Sequence, residues 1–339
     1  MPSPIPEELQ ASAQAVLDRI DGGVAAVLFG SRARDDWRQD SDWDIAFITS
    51  KGDETRLDTS SFSRLRQNDY EINSLLLSEK RLEERCRYLG AVQRAIVRDG
   101  IRLAGTWEKE YLQGVKLKID KLQYLNHINM ATKHMQAACN SYADLASAQS
   151  DVVDDQTNLA HFVGQTTDAA ERIVKAMLIS LGIDPEKTHD MNALAKQAES
   201  SGHIEEASLI RPLNGHSEKD HVASYEVYRD YQDACETAAR RFTYFPPLYV
   251  RTIQGIPHTM IEKAGRETNA LKALQYAVDT FQTPARNTSD RLPAVKALLA
   301  YRDAMRQSAV NALNELSLSI AEPEKKPTCN REVQRSVRR

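Results

Sequence analysis

Apolar positions change their rhythm along the chain near residue 106. Before that point short continuous apolar runs alternate with amphipathic stretches; after it, spacings of three and four dominate. Residues 7–20 (EELQASAQAVLDRI) carry helical periodicity and stop before Gly22-Gly23. VAAVLF (24–29) reads as a buried strand, WDIAFIT (43–49) as a second, YEINSLLL (70–77) as a third and GIRLAG (100–105) as a short last one. The polar stretch 50–60 reads as a loop or a short helix start, and 79–98 as a helix. Farther on, 111–148 forms one long helix or two, and the acidic DVVDDQ (151–156) reads as a break. Thr157 then caps a helix to Leu181, whose Ala169, Ile173, Ala176, Met177 and Leu181 share one face. Helices follow over 191–200, 204–214 and 219–241. FPPLYV near Phe245 is expected to break the pattern, because proline lacks the helix donor, before helices over 258–281 and 290–321. The expected class is α+β: a small mixed-sheet domain (1–106), an all-α helical bundle (107–245), a helical C-terminal region (246–322) and a disordered basic tail (323–339).

The chain has 339 residues, enough for two or three domains, and 41% hydrophobic residues, enough for a buried core. A net charge of −4 supplies no global field for nucleic acid. The basic tail, with six Lys/Arg against two Glu, reads as a solvated terminus. The four cysteines, Cys86, Cys139, Cys235 and Cys329, make no Cys-x-x-Cys pair, which argues against a structural zinc site and a disulfide framework. With no secretory leader pattern in MPSPIPEELQ and no run of roughly 18 apolar residues, the expectation is a cytoplasmic protein with no membrane partner.

Candidate chemistry concentrates in FGSRARDDWRQDSDWD (29–44). A glycine after a buried strand lets the backbone turn sharply and lets a ligand approach. Ser31 adds a hydroxyl and an N–H beside Gly30, and a helix start there would favour phosphate. Arg32 and Arg34 add positive charge. Asp42 and Asp44, two residues apart on a strand, place both carboxylates on one face, roughly 6.5–7 Å apart. Such a pair can share hard cations such as Mg²⁺, which take oxygen ligands and stabilise an in-line displacement. Glu71 in YEINSLLL is placed as the third carboxylate, with Asp69 as the fallback.

GSRARDDWRQDSDWDIAF resembles the signature of the minimal nucleotidyltransferases of the DNA polymerase beta superfamily, over roughly 24–104. The resemblance implies that Gly30, Ser31 and Arg32 bind the nucleotide, and that Asp42, Asp44 and Glu71 are catalytic and hold Mg²⁺. ATP or another nucleoside triphosphate would be the donor. Trp43 is larger than the usual aliphatic residue between the two acids, which suits a core-facing position.

AERIVKAMLISLGIDPEKTHDMNAL (170–194) is similar to the helical domain called HEPN, found beside or fused to such transferases. Its marks are the amphipathic helix, the Gly182-to-Pro185 turn and the His189-Asp190 step. Many HEPN domains are ribonucleases with an Arg-x4-6-His motif at a dimer interface, and Arg211 and His216 have that spacing. In such a pair His would move protons and Arg would stabilise a charged phosphorane. The bland reading of both residues is a decorated helix start, and His216, Glu218, Asp220 and His221 read as a solvated loop.

The leading expectation is transfer of a nucleoside monophosphate, most simply AMP from ATP, to a hydroxyl of a protein tyrosine or an RNA end, as in toxin–antitoxin pairs. Tyr225, Tyr228 and Tyr231 are candidate acceptors within the chain. The alternatives are a HEPN ribonuclease restrained by the first domain, a small-molecule transferase of the aminoglycoside type, and a nucleotide-binding regulator without turnover. A homo-oligomer through the helical domain is also expected.

Overall fold

The computed structural model describes residues 4–34, 37, 41–52, 57–67, 70–107, 116–147, 152–186, 188, 190–214, 231–256, 263–284 and 292–321. It divides into two compact units, Met1–Ala131 with Glu171–Ser217, and Thr132–Ala170 with Glu218–Arg339.

In the first unit the elements run α1 (Glu7–Leu17), β1 (Gly23–Phe29), a 3-10 turn (Ser31–Ala33), β2 (Trp43–Thr49), a second 3-10 turn (Ser60–Phe62), α2 (Ser63–Gln67), β3 (Ile72–Ser78), α3 (Glu79–Arg85), α4 (Val92–Asp99) and β4 (Ile101–Gly105). The four strands form one mixed sheet in the order β3-β2-β1-β4. β1 pairs antiparallel with β2 and β4, while β2 and β3 run parallel.

Both faces of the sheet are covered, which is why its strands read as continuous apolar runs. Ala26, Leu28, Ile45 and Phe47 point to a core shared with Leu9, Ala13, Val16 and Leu17 of α1. The alternate set, Ala25, Val27, Phe29, Ala46 and Ile48, points to Leu82 of α3 and to Ile96 and Val97 of α4. Asp44 has the parity of Ala46 and Ile48, so it belongs to the α3/α4 face, at the end of the sheet where the apolar filling stops.

The helix expected over 79–98 is two helices. Ser78 Oγ caps α3 by accepting from Arg81 N at 3.3 Å. The chain then turns at Gly90, with φ +72, and a Cβ there would lie 3.0 Å from Ile179 and Gln123 side-chain atoms. A helix cannot pass through a left-handed residue packed that closely.

Helical segments follow: α5 (Lys121–Ser147), α6 (Val152–Ser180), α7 (Met191–Ser200) and α8 (Ile204–Ile210), with a 3-10 turn over Arg211–Leu213 around Pro212. The 111–148 region therefore holds one helix among its described residues. The acidic stretch 151–156 is not a break, because α6 begins at Val152 and includes Thr157. Acids in a first helical turn are favoured by the positive end of the helix dipole.

The second unit takes the remaining parts of α5 and α6 together with α9 (Tyr231–Gln254), α10 (Lys263–Gln282), α11 (Pro293–Ala300) and α12 (Arg302–Ala321). Its core is aromatic: Phe281 meets Tyr142 edge-on at 4.8 Å and Phe242 at 5.0 Å. The expected break at FPPLYV is absent, and Pro246 and Pro247 lie inside α9. Pro247 cannot donate to the Thr243 carbonyl, and Ser308 Oγ of α12 donates to that carbonyl instead at 2.6 Å. Phe242, Phe245, Leu248 and Tyr249 are buried on both sides of the prolines, so packing holds the segment helical. The helix expected over 290–321 is interrupted at Tyr301. The expected tail lies outside the described residues. Among the described residues no helix is long and apolar enough to cross a membrane.

One buried ionisable group gives the first unit an acid sensitivity. His127 on α5 is buried, its Nδ1 has no hydrogen-bond partner among the described residues, and burial, aided by the nearby Arg172 and Lys175 charges, lowers its pKa to about 4. Glu171 acts in the opposite sense without reversing the shift. The unfolded chain therefore takes up this proton first as pH falls from 6.5. Stability is fully present above that value and declines towards pH 4, by on the order of 2–3 kcal/mol. Urea unfolding of the native protein at pH 7 and pH 4.5 is expected to show this loss. His127→Leu should flatten that portion of the pH profile.

Candidate active site

The site begins where β1 ends. Gly30 has φ +81 and ψ −158, and its ideal Cβ would lie 2.2 Å from Asp44 Oδ2. Phe29 is the register partner of Asp44 in the β1/β2 ladder, so the bend and the carboxylate meet because two adjacent strands end together. Only a residue without a side chain satisfies both the left-handed backbone and the contact. Ser31, half-buried, opens the 3-10 turn that follows.

Asp42 and Asp44 are both half-buried at the start of β2. On the neighbouring strand the ladder pairs Trp43 with Ile72 and Asp44 with Asn73. Asn73 Nδ2 donates to Asp42 Oδ2 at 2.7 Å. Glu71 precedes β3, is exposed, and accepts the Trp43 N–H on its carbonyl at 2.8 Å. Alternation gives it the parity of Asn73, one pleat towards the sheet end. Among the described residues no three His, Cys, Asp or Glu side chains group in a way that could hold a metal. The structure thus brings Gly30, Asp42 and Asp44 together, and the side chain it adds to them is Asn73 rather than Glu71. Asp69 lies outside the described residues.

Arg32 sits in the same turn but is buried, at 7% exposure. Its Nε donates to the Ser41 carbonyl at 2.6 Å, and its Cζ lies 4.3 Å from the Trp43 ring centroid and 5.4 Å from that of Trp37. This stack ties Trp37 and Ser41 to the sheet, and gives the large Trp43 a partner. Arg34 pairs with Asp99 at the end of α4, Nη1 to Oδ2, at 3.5 Å. Burial raises the Asp99 pKa, but the hydrogen bond and charge of Arg98, with Arg34, outweigh it, so Asp99 is held below the usual carboxylate value.

Arg98 also reaches Asp184 at 2.7 Å, as do Arg94 at 2.6 Å and the Gly90 N–H at 2.7 Å. Asp184 lies in the turn after α6, within the Gly182-to-Pro185 segment. Sequence reading missed Asn73, Trp37 and this clamp. For Asn73 the sequence held no deciding signal, since Glu71 shares its parity and the β2/β3 register is what pairs Asn73 with Asp44.

Arg211 lies in the 3-10 turn after α8 and pairs with Glu199 of α7. His216, His189, Tyr225 and Tyr228 lie outside the described residues, as do Glu218, Asp220, His221 and the side chain of Tyr231, so the geometry of the Arg211/His216 pair lies there too.

A mixed sheet whose first strand ends on a glycine bend and whose second begins with an Asp-x-Asp pair is the arrangement of a nucleotidyltransferase class of domain. Residues 14–103 match the family model "Polymerase beta, Nucleotidyltransferase", and residues 140–244 match the model of the HEPN domain. The chain is a fusion of a polymerase-beta-type nucleotidyltransferase domain and a HEPN domain. No curated protein and no solved structure matches it significantly.

Gly30→Ala is the sharpest probe of the bend. A side chain there meets both the left-handed strain, about 1–3 kcal/mol, and the Asp44 carboxylate. Differential scanning calorimetry should show a lower Tm.

Proposed function

We propose that the N-terminal domain moves a nucleoside monophosphate, AMP from ATP in the simplest case, onto a hydroxyl acceptor with Mg²⁺ as cofactor. The observation that carries this reading is the Asp44 carboxylate seated in the space above Gly30, beside Asp42 on one face of the sheet. The donor set fits Mg²⁺: carboxylate oxygens are hard ligands, and the pair lies on one face of the sheet.

Asp42 and Asp44 would hold the ion, and Gly30 and Ser31 would hold the phosphates. When bound, the ion supplies neutralisation of phosphate charge. The acceptor oxygen attacks the α-phosphorus, the bond from that phosphorus to the bridging oxygen breaks, and pyrophosphate leaves. The hydroxyl proton goes to a base; Glu71, exposed on this face, is the candidate. The proposed acceptors are a protein tyrosine or an RNA end, in a toxin–antitoxin-like cytoplasmic setting. A small-molecule acceptor of the aminoglycoside class is the variant of this reading.

A second reading has one observation in its favour: the HEPN match includes Arg211 and His216 at ribonuclease spacing. Degradation of total RNA by the full chain, lost in Arg211→Ala, would favour a ribonuclease restrained by the first domain.

The deciding experiment for the first reading uses the full chain, α-labelled ATP, Mg²⁺, total RNA and cell protein. Label transfer is expected, falling about 100- to 1,000-fold in Asp42→Asn or Asp44→Asn, the size of losing one group that stabilises developing charge. Equal transfer by the Asp42→Asn/Asp44→Asn double variant would overturn the assignment.

A further inference from the structure

We infer that Asn73 completes this site as a neutral third arm, so that the divalent cation arrives with the triphosphate and is not held beforehand. The inference rests on the nucleotidyltransferase reading and adds to it how the cation is acquired.

Position comes first. Asn73 is the register partner of Asp44 across the parallel β2/β3 pair, and its amide donates to Asp42 Oδ2 at 2.7 Å. It therefore relates to both carboxylates at once, to one by ladder and to the other by hydrogen bond. An ionised carboxylate only accepts, so the amide NH₂ must face Asp42 and the amide oxygen is turned away from it. Asn73 is thus a positioning residue: it fixes Asp42 from the neighbouring strand.

Charge comes second. A carboxylate at position 73 would set a third negative group within hydrogen-bond reach of Asp42, and without a cation that arrangement repels itself. The amide replaces repulsion with a charge-assisted hydrogen bond, so holding Asp42 in place does not depend on a cation. The cost falls on cation affinity, because two carboxylates attract a divalent ion less than three. Among the described residues no third acid, His or Cys groups with the pair. Mg²⁺ gives up its water reluctantly and is commonly held by one or two carboxylates plus substrate phosphates. Asp42 and Asp44, with Asn73 holding Asp42 in place, meet that description, and the nucleotide supplies the missing charge.

Three proteins test this as full-length chains: native, Asn73→Asp and Asn73→Ala. Each is titrated by calorimetry with Mn²⁺ alone and with Mn²⁺ plus a non-hydrolysable α,β-methylene ATP, and each is melted in EDTA and in Mn²⁺. The native chain is expected to bind Mn²⁺ alone weakly and at least about 10-fold more tightly with the nucleotide analogue present. Asn73→Asp should bind Mn²⁺ alone at least about 10-fold more tightly than native, the scale on which ligand-orienting groups act. It should melt below native in EDTA and recover in Mn²⁺. Asn73→Ala, which leaves Asp42 unsupported, should lose affinity for the Mn²⁺–nucleotide pair without gaining any for Mn²⁺ alone. A purely structural asparagine would shift the melts and leave the titrations equal. That result overturns the inference, as does native protein that binds Mn²⁺ equally well with and without nucleotide. In both cases nucleotide binding itself survives; if the native chain binds no Mn²⁺–nucleotide at all, the nucleotidyltransferase reading falls as well.

Discussion

The chemistry of this chain hangs on one steric exclusion: no side chain fits at position 30. The Asp44 carboxylate already occupies that volume, and the backbone there has a sign of φ that suits glycine. Antiparallel pairing of β1 with β2 makes the coincidence, since Phe29 and Asp44 are register partners and the bend comes one residue later. The same pairing orients the rest. It sends Asp42 and Asp44 to the face covered farther in by α3 and α4, and it places β3, on the other side of β2, so that its Asn73 meets them. A slip of one residue in either ladder would turn these groups to the α1 face and into apolar packing.

A polar clamp gives the first unit its second anchor. Asp184, mostly buried, collects Arg94, Arg98 and a backbone N–H, while Arg98 also grips Asp99. Burying one carboxylate is costly unless its lone pairs are filled, and here three donors fill them. The physical role of the Gly182-to-Pro185 turn follows. Gly182, with φ +80, ends α6 and lets the chain reverse, which delivers Asp184 to the α4 arginines and to Gly90. A segment first noticed as a family resemblance is, in contact terms, the acceptor for a basic helix of the sheet domain.

Legibility in the sequence followed the strength of local rules. The four strands were readable because burial on both faces produces unbroken apolar runs, and because Gly22-Gly23 and Gly30 punctuate them. The Asp-x-Asp pair was readable because alternation needs no knowledge of the fold. What escaped depended on partners far away in sequence. Pro246 and Pro247 looked like a stop until Ser308, 65 residues from Thr243, supplied a donor for the freed carbonyl. Gly90 ends a helical pattern because Gln123 and Ile179 pack against it. Asn73 was not singled out because acids were sought without the β2/β3 register, which no local pattern states.

Arginine placement sharpens the electrostatic picture of the site. Two arginines follow the glycine-serine bend; in sequence both add positive charge, and Arg32 is the one expected to bind the nucleotide. In the structure Arg32 is stacked on Trp43 and Trp37 and spends its Nε on the Ser41 carbonyl, while Arg34 is engaged by Asp99. The guanidinium of Arg32 is therefore part of the scaffold that joins Trp37 and Ser41 to Trp43, a role its planar, weakly hydrated group suits better than lysine would. On the proposed reading, a triphosphate entering this site meets backbone amides and two carboxylates, and among the described residues of the bend both arginines are already engaged. Carboxylates repel phosphate unless a cation lies between them. The nucleotide and the ion then need one another to bind, which is the same conclusion that the neutral Asn73 reaches from the opposite side of the site.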